Sequence, residues 1–548
     1  NTDRRVRTGN RGGDMVLDLP KSMSQLAALG DQSLNRLIED TFMESVRETV
    51  AAAEKWVAYG MRGHHGDGQS AEVLKTSGLM GTITLHRTAR PVDGEVGDPH
   101  LHAHVMLANM VRCSDGKWRT VAAGGRDFFR HIGALGAFVE ARMRAKLRDR
   151  LGLDYMRDER TRAWEIDPIG PEQRAPFSRR SAQILAAIGE NATSAQSKVV
   201  AAQLAEDKQD LTPTDVRARW RQRALDAEID PDALVAAVLG GGSAATGATP
   251  PNAPLFPDDV ARVVFDPEHG VTAGQKVVRR TDVFRAVMQS LPDGIADLES
   301  AERLTDYVLA SPFAVRLPDS GSAHMANAAR YTSIDVLQAE QAIRAQAGKR
   351  RFAGCAQVPI EHTRRLLDQT ERDQGFAFSA RQRLALERLL GAGHGVEALI
   401  GVAGAGKTTI MRAARQVWED QGLRVAGAAT AAVAAANLHA EAGIRSRTIA
   451  SLLEAVKNGH GLGDIDVLVI DEGAMVDDRA LSRLLTAAEA QGVKVVGIGD
   501  PKQLRAVGIG GGFAEIHRVV DGLVLDENMR QKVQLDRTAL ATWREGTN

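Results

Sequence analysis

Three histidines stand at every second position of an apolar run, and this spacing is that of a metal site on a β-strand. They are His100, His102 and His104, in the segment DPHLHAHVML at 98–107. Successive side chains of an extended strand point to opposite faces, so the three imidazoles share one face. Neutral imidazoles suit Zn, Mn, Ni or Fe better than Ca, and three of them leave positions open for water or a phosphate oxygen. The spacing predicts a catalytic metal site, with a row of surface histidines as the alternative.

A second segment alternates in the same way and supplies a fourth histidine. In GTITLHRTAR, residues 81–90, Ile83 and Leu85 fall on one face and His86 falls on the other. Pairing of the two strands would bring His86 beside the histidine row. The second strand therefore favours the metal site over the surface-histidine alternative.

A glycine-rich loop follows an apolar run in the second half of the chain. The segment GVAGAGKT matches the phosphate-loop pattern at every defined position. Backbone N–H groups of such a loop cradle the phosphates, Lys407 reaches the β- and γ-phosphates, and Thr408 holds Mg²⁺. The residues assigned to nucleotide binding in this loop are Gly401, Gly404, Ala405, Gly406, Lys407, Thr408 and Thr409. A chance glycine-rich turn is the alternative.

Two carboxylates at the end of another apolar run complement the loop. The segment VLVIDE, residues 467–472, predicts a buried strand that ends in Asp471, for Mg²⁺, and Glu472, for activating water. The pair is a weak signal alone. Together with the phosphate loop it predicts an ATP site that uses Mg²⁺.

The elements that must position these residues fall into two classes. Around the histidines, strands are separated by long helices at 33–59 and 128–151, which is typical of an α+β domain with an antiparallel sheet. From about residue 376, short apolar runs alternate with helical segments, which is typical of a doubly wound parallel sheet. The sequence therefore predicts a multidomain chain, α+β followed by α/β.

Composition limits the classes of protein. The chain has 548 residues and net charge −1, and it lacks an apolar run of about eighteen residues, so we expect several domains and no membrane span. Two cysteines, Cys113 and Cys355, are too few for a disulfide framework and fit a reducing, cytoplasmic environment. The basic stretch 141–162 is either a phosphate-binding surface or a solvated helix face. Because the chain starts at Asn1 rather than methionine, we expect it to be a fragment.

The motifs around the phosphate loop resemble, in order, those of RecD-like superfamily 1 helicases. The similar segments are 378–386 with Gln382, 428–453, 499–504 with Gln503, and 525–531 with Arg530. The resemblance implies a RecA-like lobe in which Gln382 reads adenine, Gln503 senses the γ-phosphate and Arg530 stabilises developing charge. It also implies 5′ to 3′ DNA unwinding and a second lobe, of which only the start would be present.

A pair of histidine-bearing strands and a RecD-like helicase motor in one chain resemble the conjugative relaxase-helicases of the MobF type. The similar segments are 14–26 (DMVLDLPKSMSQL), 77–90 (SGLMGTITLHRTAR), 98–110 (DPHLHAHVMLANM) and 177–184 (FSRRSAQI). By this resemblance the metal ligands are His86, His102 and His104, and His100 falls where the family often has glutamine. Asp14 falls on the carboxylate that orients the site, where it could hold a histidine N–H or accept the nucleophile's proton, with a loop carboxylate in water as its alternative.

The resemblance implies site-specific nicking of single-stranded DNA at a plasmid origin of transfer by transesterification. It implies ATP with Mg²⁺ at one site, a divalent metal (Mg²⁺, Mn²⁺ or Zn²⁺) at the other, and relaxosome and type IV secretion components as further partners. The family's nucleophile is a tyrosine upstream of the Asp14 strand. Because none of the tyrosines here lies upstream of Asp14, we assign no nucleophile and expect that it was lost with a missing N-terminal segment.

The predicted domains are a relaxase domain (1–239), a linker (240–256), a helical lead-in to the motor (257–370), a RecA-like lobe (371–520) and the start of a truncated second lobe (521–548). We expect this fragment to be incomplete for both activities. Two other interpretations remain open. One is a DNA- and nucleotide-binding remnant of a mobile element that catalyses nothing, and the other is a metallohydrolase fused to an ATPase.

Overall fold

A computed structural model gives the fold of the chain. It describes residues 10–63, 71–189, 194–206, 212–241, 256–318, 325–402, 404–503, 506, 508–527 and 542. The chain forms two compact units, one of residues 1–271 and 277–331 and the other of residues 272–276 and 332–548. Each described helix is too short or too polar to cross a bilayer.

The strands of the first unit are β1 (Gly12–Asp18), β2 (Tyr59–Arg62), β3 (Glu72–Lys75), β4 (Gly81–Thr88), β5 (Pro99–Ala108), β6 (Val111–Arg112), β7 (Trp118–Arg119), β8 (Tyr155–Arg157), β9 (Trp164–Ile166), β10 (Val278–Arg279), β11 (Ala314–Arg316) and β12 (Arg330–Ser333), whose last two residues belong to the second unit. Its helices are α1 (Lys21–Leu29), α2 (Gln32–Val57), α3 (Arg126–Leu151), α4 (Pro171–Arg174), α5 (Arg179–Ile188), α6 (Ser194–Gln203), α7 (Pro213–Asp226), α8 (Pro231–Gly240), α9 (Pro257–Val264), α10 (Arg280–Ser290) and α11 (Leu298–Ala310).

The second unit contains the strands β13 (Val396–Gly401), β14 (Val425–Ala429), β15 (Ser446–Thr448), β16 (Val467–Ile470), β17 (Lys494–Gly499) and β18 (Val524–Leu525). Its helices are α12 (Ile334–Lys349), α13 (Ile360–Gln374), α14 (Ala380–Gly391), α15 (Lys407–Asp420), α16 (Ala432–Ala442), α17 (Ile449–Lys457), α18 (Asp478–Ala490) and α19 (Gly512–Val520).

A three-stranded antiparallel sheet, in the order β1-β5-β4, forms the centre of the first unit. Its apolar face carries Met15, Leu17, Leu101, Ala103 and Val105, all fully or almost fully buried in the core. Alternation along each strand therefore places the intervening polar residues on the opposite face. This confirms the predicted pairing of the two histidine strands.

Helix α2 covers the core with one apolar stripe. The Asp31 side chain caps it by accepting a hydrogen bond from the Leu34 N–H at 2.8 Å. Ile38, Phe42 and Val46 follow Leu34 at four-residue intervals, and all are buried. The helix predicted at 33–59 is observed at Gln32–Val57.

Several cations of the basic stretch at the end of α3 form salt bridges and hydrogen bonds within the protein. Arg142 and Lys146 both pair with Glu48, at 2.6 and 2.9 Å. Arg144 is 1% exposed and donates to the Met288 carbonyl, and burial lowers its pKa to about 10. Neither interpretation of this stretch, the phosphate-binding surface or the solvated face, describes these residues.

The segment predicted as a single lead-in, 257–370, is divided between the two units. Helices α9 to α11 pack into the core of the first unit, where the Phe284 ring lies 5.1 Å from Trp56 and 6.1 Å from Phe138, centroid to centroid. The reason is apolar burial, because Val283, Phe284 and Val287 are at most 1% exposed. Of this segment, residues 272–276 and 332–370 belong to the second unit with the phosphate loop.

A six-stranded parallel sheet, in the order β15-β14-β16-β17-β13-β18, forms the second unit. Its central strands are buried runs such as Val467–Ile470, as expected for a sheet covered on both faces. The sheet continues to Leu525, beyond the boundary predicted at residue 520. The predicted order of folds, α+β followed by α/β, is confirmed.

Candidate metal centre and nucleotide site

The polar face of the antiparallel sheet brings three histidines together from two strands. His86 of β4 lies directly opposite His102 of β5, and His104 follows two residues later on the same face. The ring centroid of His86 lies 5.2 Å from that of His102 and 4.7 Å from that of His104. One ligand nitrogen from each ring lies within 4.8 Å of the others.

This spacing fits a shared cation. With metal–nitrogen distances of about 2.1 Å, ligands at tetrahedral or octahedral angles lie roughly 3 to 3.5 Å apart. Displacements of about 1 Å, from rotation of the side chains, would bring the three nitrogens within bonding distance of one ion. The other coordination positions of the ion would face the open side of the sheet.

Hydrogen bonds orient the rings of His102 and His104. His102 Nδ1 lies 2.9 Å from the carbonyl oxygen of His100, and His104 Nδ1 lies 2.8 Å from Asp14 Oδ2. A carbonyl and a carboxylate are acceptors, so Nδ1 of each ring carries the proton and Nε2 carries the lone pair. That is the tautomer in which Nε2 binds a metal.

His100 lies beside this group. Its ring stacks on His102 with centroids 4.6 Å apart, and burial lowers its pKa to about 3, with the neighbouring His102 and Lys21 adding to the shift. The cluster of possible ligands contains His86, His102 and His104 but not His100. Of the two trios suggested by the sequence, the geometry selects the one that spans two strands.

Asp14 lies on β1, two residues before Val16, which pairs with His104 of β5. From this neighbouring strand the Asp14 carboxylate hydrogen-bonds to the His104 ring.

Asp14→Ala should lower the metal affinity of the chain by about 10- to 100-fold, because carboxylates that orient histidine ligands have effects of this size. Isothermal titration with Mn²⁺ measures it. Asp40→Ala, at an exposed carboxylate on α2, is the matched control. Equal affinities for Asp14→Ala and the wild type would contradict an orienting role.

The same face carries residues that the sequence analysis did not select. Asp18 lies opposite His102, and burial raises the pKa of its carboxyl group. Val16 and Met106, on the same face, are 42% and 49% exposed. Residues 14, 16 and 18 alternate with buried residues along β1, and this alternation could have indicated that they share a face. Alternation does not show which of the two faces is exposed to solvent.

The tyrosine side chains take part in other contacts. The Tyr59 hydroxyl lies 3.0 Å from Asp127 Oδ2, and burial raises its pKa. Tyr155 is buried beside the Arg144 carbonyl, Tyr307 donates to Asp258 at 2.7 Å, and Tyr331 is buried. The geometry gives no reason to assign a nucleophile among them.

The carboxyl ends of the parallel strands build the second site. The phosphate loop follows β13, Asp471 follows β16 and Asp500 follows β17, so all three reach one edge of the sheet. They enclose a cavity of about 170 Å³ lined by Lys407, Thr408, Met411, Leu438, Asp471, Glu472, Ala474, Met475, Ile498, Gly499, Asp500 and Gln503. Asp500, in the helicase-like segment 499–504, was not selected from the sequence.

The phosphate loop has the backbone that its glycines permit. Gly406 has φ 79°, in the left-handed region, and a Cβ atom there would lie 2.7 Å from Gln382 Nε2. Lys407 Nζ donates to the Gly401 carbonyl at 3.0 Å, which folds the lysine over the loop. Thr408 and Thr409 lie in the first turn of α15, and Lys407 and Thr408 line the cavity at its N-terminus.

Two other predicted residues have special backbone or hydrogen-bonding positions. Glu472 has φ 51°, an unfavourable value for a non-glycine residue that often occurs at functional sites. Its N–H donates to Asp471 Oδ1 at 2.9 Å. The Gln503 N–H donates to the Asp500 carbonyl at 3.0 Å. Arg530 lies outside the described residues.

Gln382 is buried and joins helix α14 to the phosphate loop. Its Oε1 accepts from the Ser379 N–H at 3.0 Å, and its Nε2 donates to the Ala405 carbonyl at 3.1 Å. Both ends of the amide therefore make contacts within the protein, and Nε2 has a second N–H besides the one donated to Ala405.

Gln382→Ala should weaken ATP binding by about tenfold, because one buried hydrogen bond to the loop is worth roughly 1 to 2 kcal/mol. Fluorescence titration with N-methylanthraniloyl-ATP measures this, with Gln374→Ala, at an exposed position at the end of α13, as the control. Equal losses for the ATP and GTP analogues would assign Gln382 to loop positioning alone, and a loss confined to ATP would assign it to the base. Unchanged affinity for both would contradict either role.

Comparison with known proteins matches each unit to a family model. Residues 1–227 match the model described as TrwC relaxase, and residues 377–548 match the model described as AAA domain. A probable conjugal transfer protein TraA of Sinorhizobium fredii is 34% identical over 226 residues, which cover 36% of this chain and 20% of the relative. The multifunctional conjugation protein TraI of Escherichia coli is 27% identical over 306 residues, 54% of this chain and 16% of the relative.

A solved structure of the conjugative relaxase TrwC in complex with oriT DNA is 24% identical, with a TM-score of 0.36, and covers 42% of this chain and 77% of that one. The chain spans a fifth or less of the length of the two curated relatives described above.

Proposed function

We propose that this chain, in which a TrwC relaxase domain precedes an AAA domain, acts in conjugative DNA transfer as a relaxase-helicase. The relaxase unit nicks single-stranded DNA at an origin of transfer by metal-assisted transesterification, and the AAA unit drives 5′ to 3′ unwinding with ATP. The observation that carries the proposal is the convergence of His86, His102 and His104 on one sheet face, in the same chain as a full phosphate-loop sequence motif whose Lys407 and Thr408 line a cavity with Asp471.

The histidine site suits phosphoryl transfer. A divalent cation (Mg²⁺, Mn²⁺ or Zn²⁺) bound there would polarise the scissile phosphate and offset the charge that develops during attack. His102 and His104 present Nε2 lone pairs because their Nδ1 atoms face acceptors. Asp14 holds His104 in place. In the step itself a hydroxyl nucleophile loses its proton to water and forms a bond to phosphorus, the bond from phosphorus to the 3′ oxygen breaks, and the 3′ oxygen takes up a proton from water.

The nucleotide site suits ATP with Mg²⁺. Thr408 and Asp471 line the same cavity and supply the hydroxyl and carboxylate oxygens that Mg²⁺ prefers. Lys407 reaches the phosphates, Glu472 activates water and Gln503 senses the γ-phosphate. A catalytically inert remnant of a mobile element is not favoured, since the described site residues retain chemically competent side chains at both sites.

Labelled single-stranded DNA from the origin tests the proposal directly. We expect the full-length gene product, with Mn²⁺, to form a protein–DNA adduct that survives denaturant, and to hydrolyse ATP faster when single-stranded DNA is added. Cleavage without an adduct would support the metallohydrolase reading instead. DNA binding without cleavage or ATP hydrolysis would support the inert remnant.

A further inference from the structure

We infer that Glu441 is a positioning residue of the nucleotide site and orients the Thr408 hydroxyl toward bound Mg²⁺. The inference rests on the proposed ATP function and extends it to a carboxylate outside the phosphate loop and the Asp471 segment. Glu441 belongs to the last turn of α16, and Thr408 belongs to the first turn of α15.

The contact between them determines which way the hydroxyl faces. Thr408 Oγ1 donates to Glu441 Oε2 at 3.2 Å. A hydroxyl has one hydrogen and two lone pairs, so a hydrogen that is used by Glu441 leaves both lone pairs for a cation. Thr408 also lines the cavity that contains Asp471 and Asp500. The hydrogen bond therefore prepares Thr408 as a metal ligand.

A second contact holds Glu441 at this distance. Arg412, one turn after Thr408 on α15, donates its Nε to the backbone carbonyl of Glu441 at 3.1 Å. The guanidinium thus binds the helix end rather than the Glu441 carboxylate. The two helices are joined by adjacent contacts, and the carboxylate stays directed at Thr408.

The position of Glu441 is locally unfavourable for an acidic side chain. Helix α16 ends at Ala442, and Gly443 follows with φ 73°. Free carbonyl groups make this end of a helix partially negative, so a carboxylate here is repelled unless a cation lies nearby. The Arg412 guanidinium supplies one such cation at the helix end, and a cation at Thr408 would add to it on the side of the carboxylate.

The test measures metal dependence of nucleotide binding rather than turnover. N-methylanthraniloyl-ATP is bound to the chain, Mg²⁺ is titrated, and the midpoint of the fluorescence change is recorded for the wild type, Glu441→Ala, Glu441→Gln and Glu419→Ala. Glu419 is the matched control because it is a glutamate near the end of α15 whose partner is Arg415 on the same helix. Binding in EDTA is measured in parallel.

We expect Glu441→Ala to raise the Mg²⁺ midpoint by about tenfold, as is typical when a group that orients a metal ligand is removed. Affinity in EDTA should stay within about twofold of wild type, because Glu441 acts through the cation ligand. Glu441→Gln should shift the midpoint less, since its amide oxygen still accepts the hydroxyl hydrogen. Glu419→Ala should match the wild type.

An unchanged midpoint in Glu441→Ala would overturn the inference while leaving the ATP function intact. Equal shifts in the alanine and glutamine variants would overturn orientation of the hydroxyl in favour of simple charge attraction. Equal shifts in Glu441→Ala and Glu419→Ala would overturn it as well. A wild-type chain that binds no nucleotide would overturn both this inference and the proposed ATP function.

Discussion

His102→Ala should lower the metal affinity of the chain by about 100-fold or more and abolish adduct formation by the full-length protein. The alanine removes one of three ligands, and two imidazoles alone hold a divalent ion poorly. His102 is central in the cluster, opposite His86 and two residues from His104. Titration calorimetry with Mn²⁺ measures affinity, and denaturing gel electrophoresis of labelled DNA measures the adduct.

His100→Ala is the matched control for that substitution. It removes an imidazole from the same strand, 4.6 Å from the His102 ring, but outside the ligand group. The His100 carbonyl that accepts from His102 remains, because it belongs to the backbone. We expect metal affinity within about threefold of wild type, since only packing beside a ligand changes. Loss of metal binding in His100→Ala but not in His102→Ala would mean that the ligand set is assigned incorrectly.

Lys407→Ala should reduce the ATP hydrolysis rate by about 100- to 1,000-fold, because it removes the cation that faces the β- and γ-phosphates. Lys407 donates only to the Gly401 carbonyl of its own loop in the described contacts, so the fold should persist. Phosphate release in the presence of single-stranded DNA measures the rate, and circular dichroism verifies folding.

Lys457→Ala, at an exposed position on α17, controls for the loss of a positive charge elsewhere in the same unit. Its hydrolysis rate should equal that of the wild type. Hydrolysis by Lys407→Ala at the wild-type rate would place ATP turnover at a different site or in a contaminant, and the proposed motor function would fail.

Much of both sites could be predicted from local pattern. Alternation alone put His86, His102 and His104 on polar strand faces, and the phosphate loop needed only its spacing and the strand before it. The carboxyl ends of parallel strands share one edge, so Lys407 and Asp471 were expected to meet there. These predictions depend only on the alternation of side chains along a strand and on the parallel order of the strands. Both can be inferred from the sequence without knowledge of the packing.

What the sequence left open depended on long-range packing. Alternation put His100 on the same face as His102, and the choice of His86 as the third ligand came from the family resemblance. The pairing of β4 with β5 places His86 in the cluster. Arg142 and Lys146 of the basic stretch looked accessible because Glu48, their shared partner, lies on another helix. Contacts between distant segments decide such questions, and local periodicity carries no information about them.

Anomalous diffraction from crystals of this chain soaked in Mn²⁺ tests the central claim most directly. We predict one strong peak on the polar face of the antiparallel sheet, about 2.0 to 2.3 Å from a nitrogen of each of His86, His102 and His104. A sheet face without a peak, or a peak that any of the three histidines fails to reach, would contradict the shared metal site and with it the proposed strand-nicking activity.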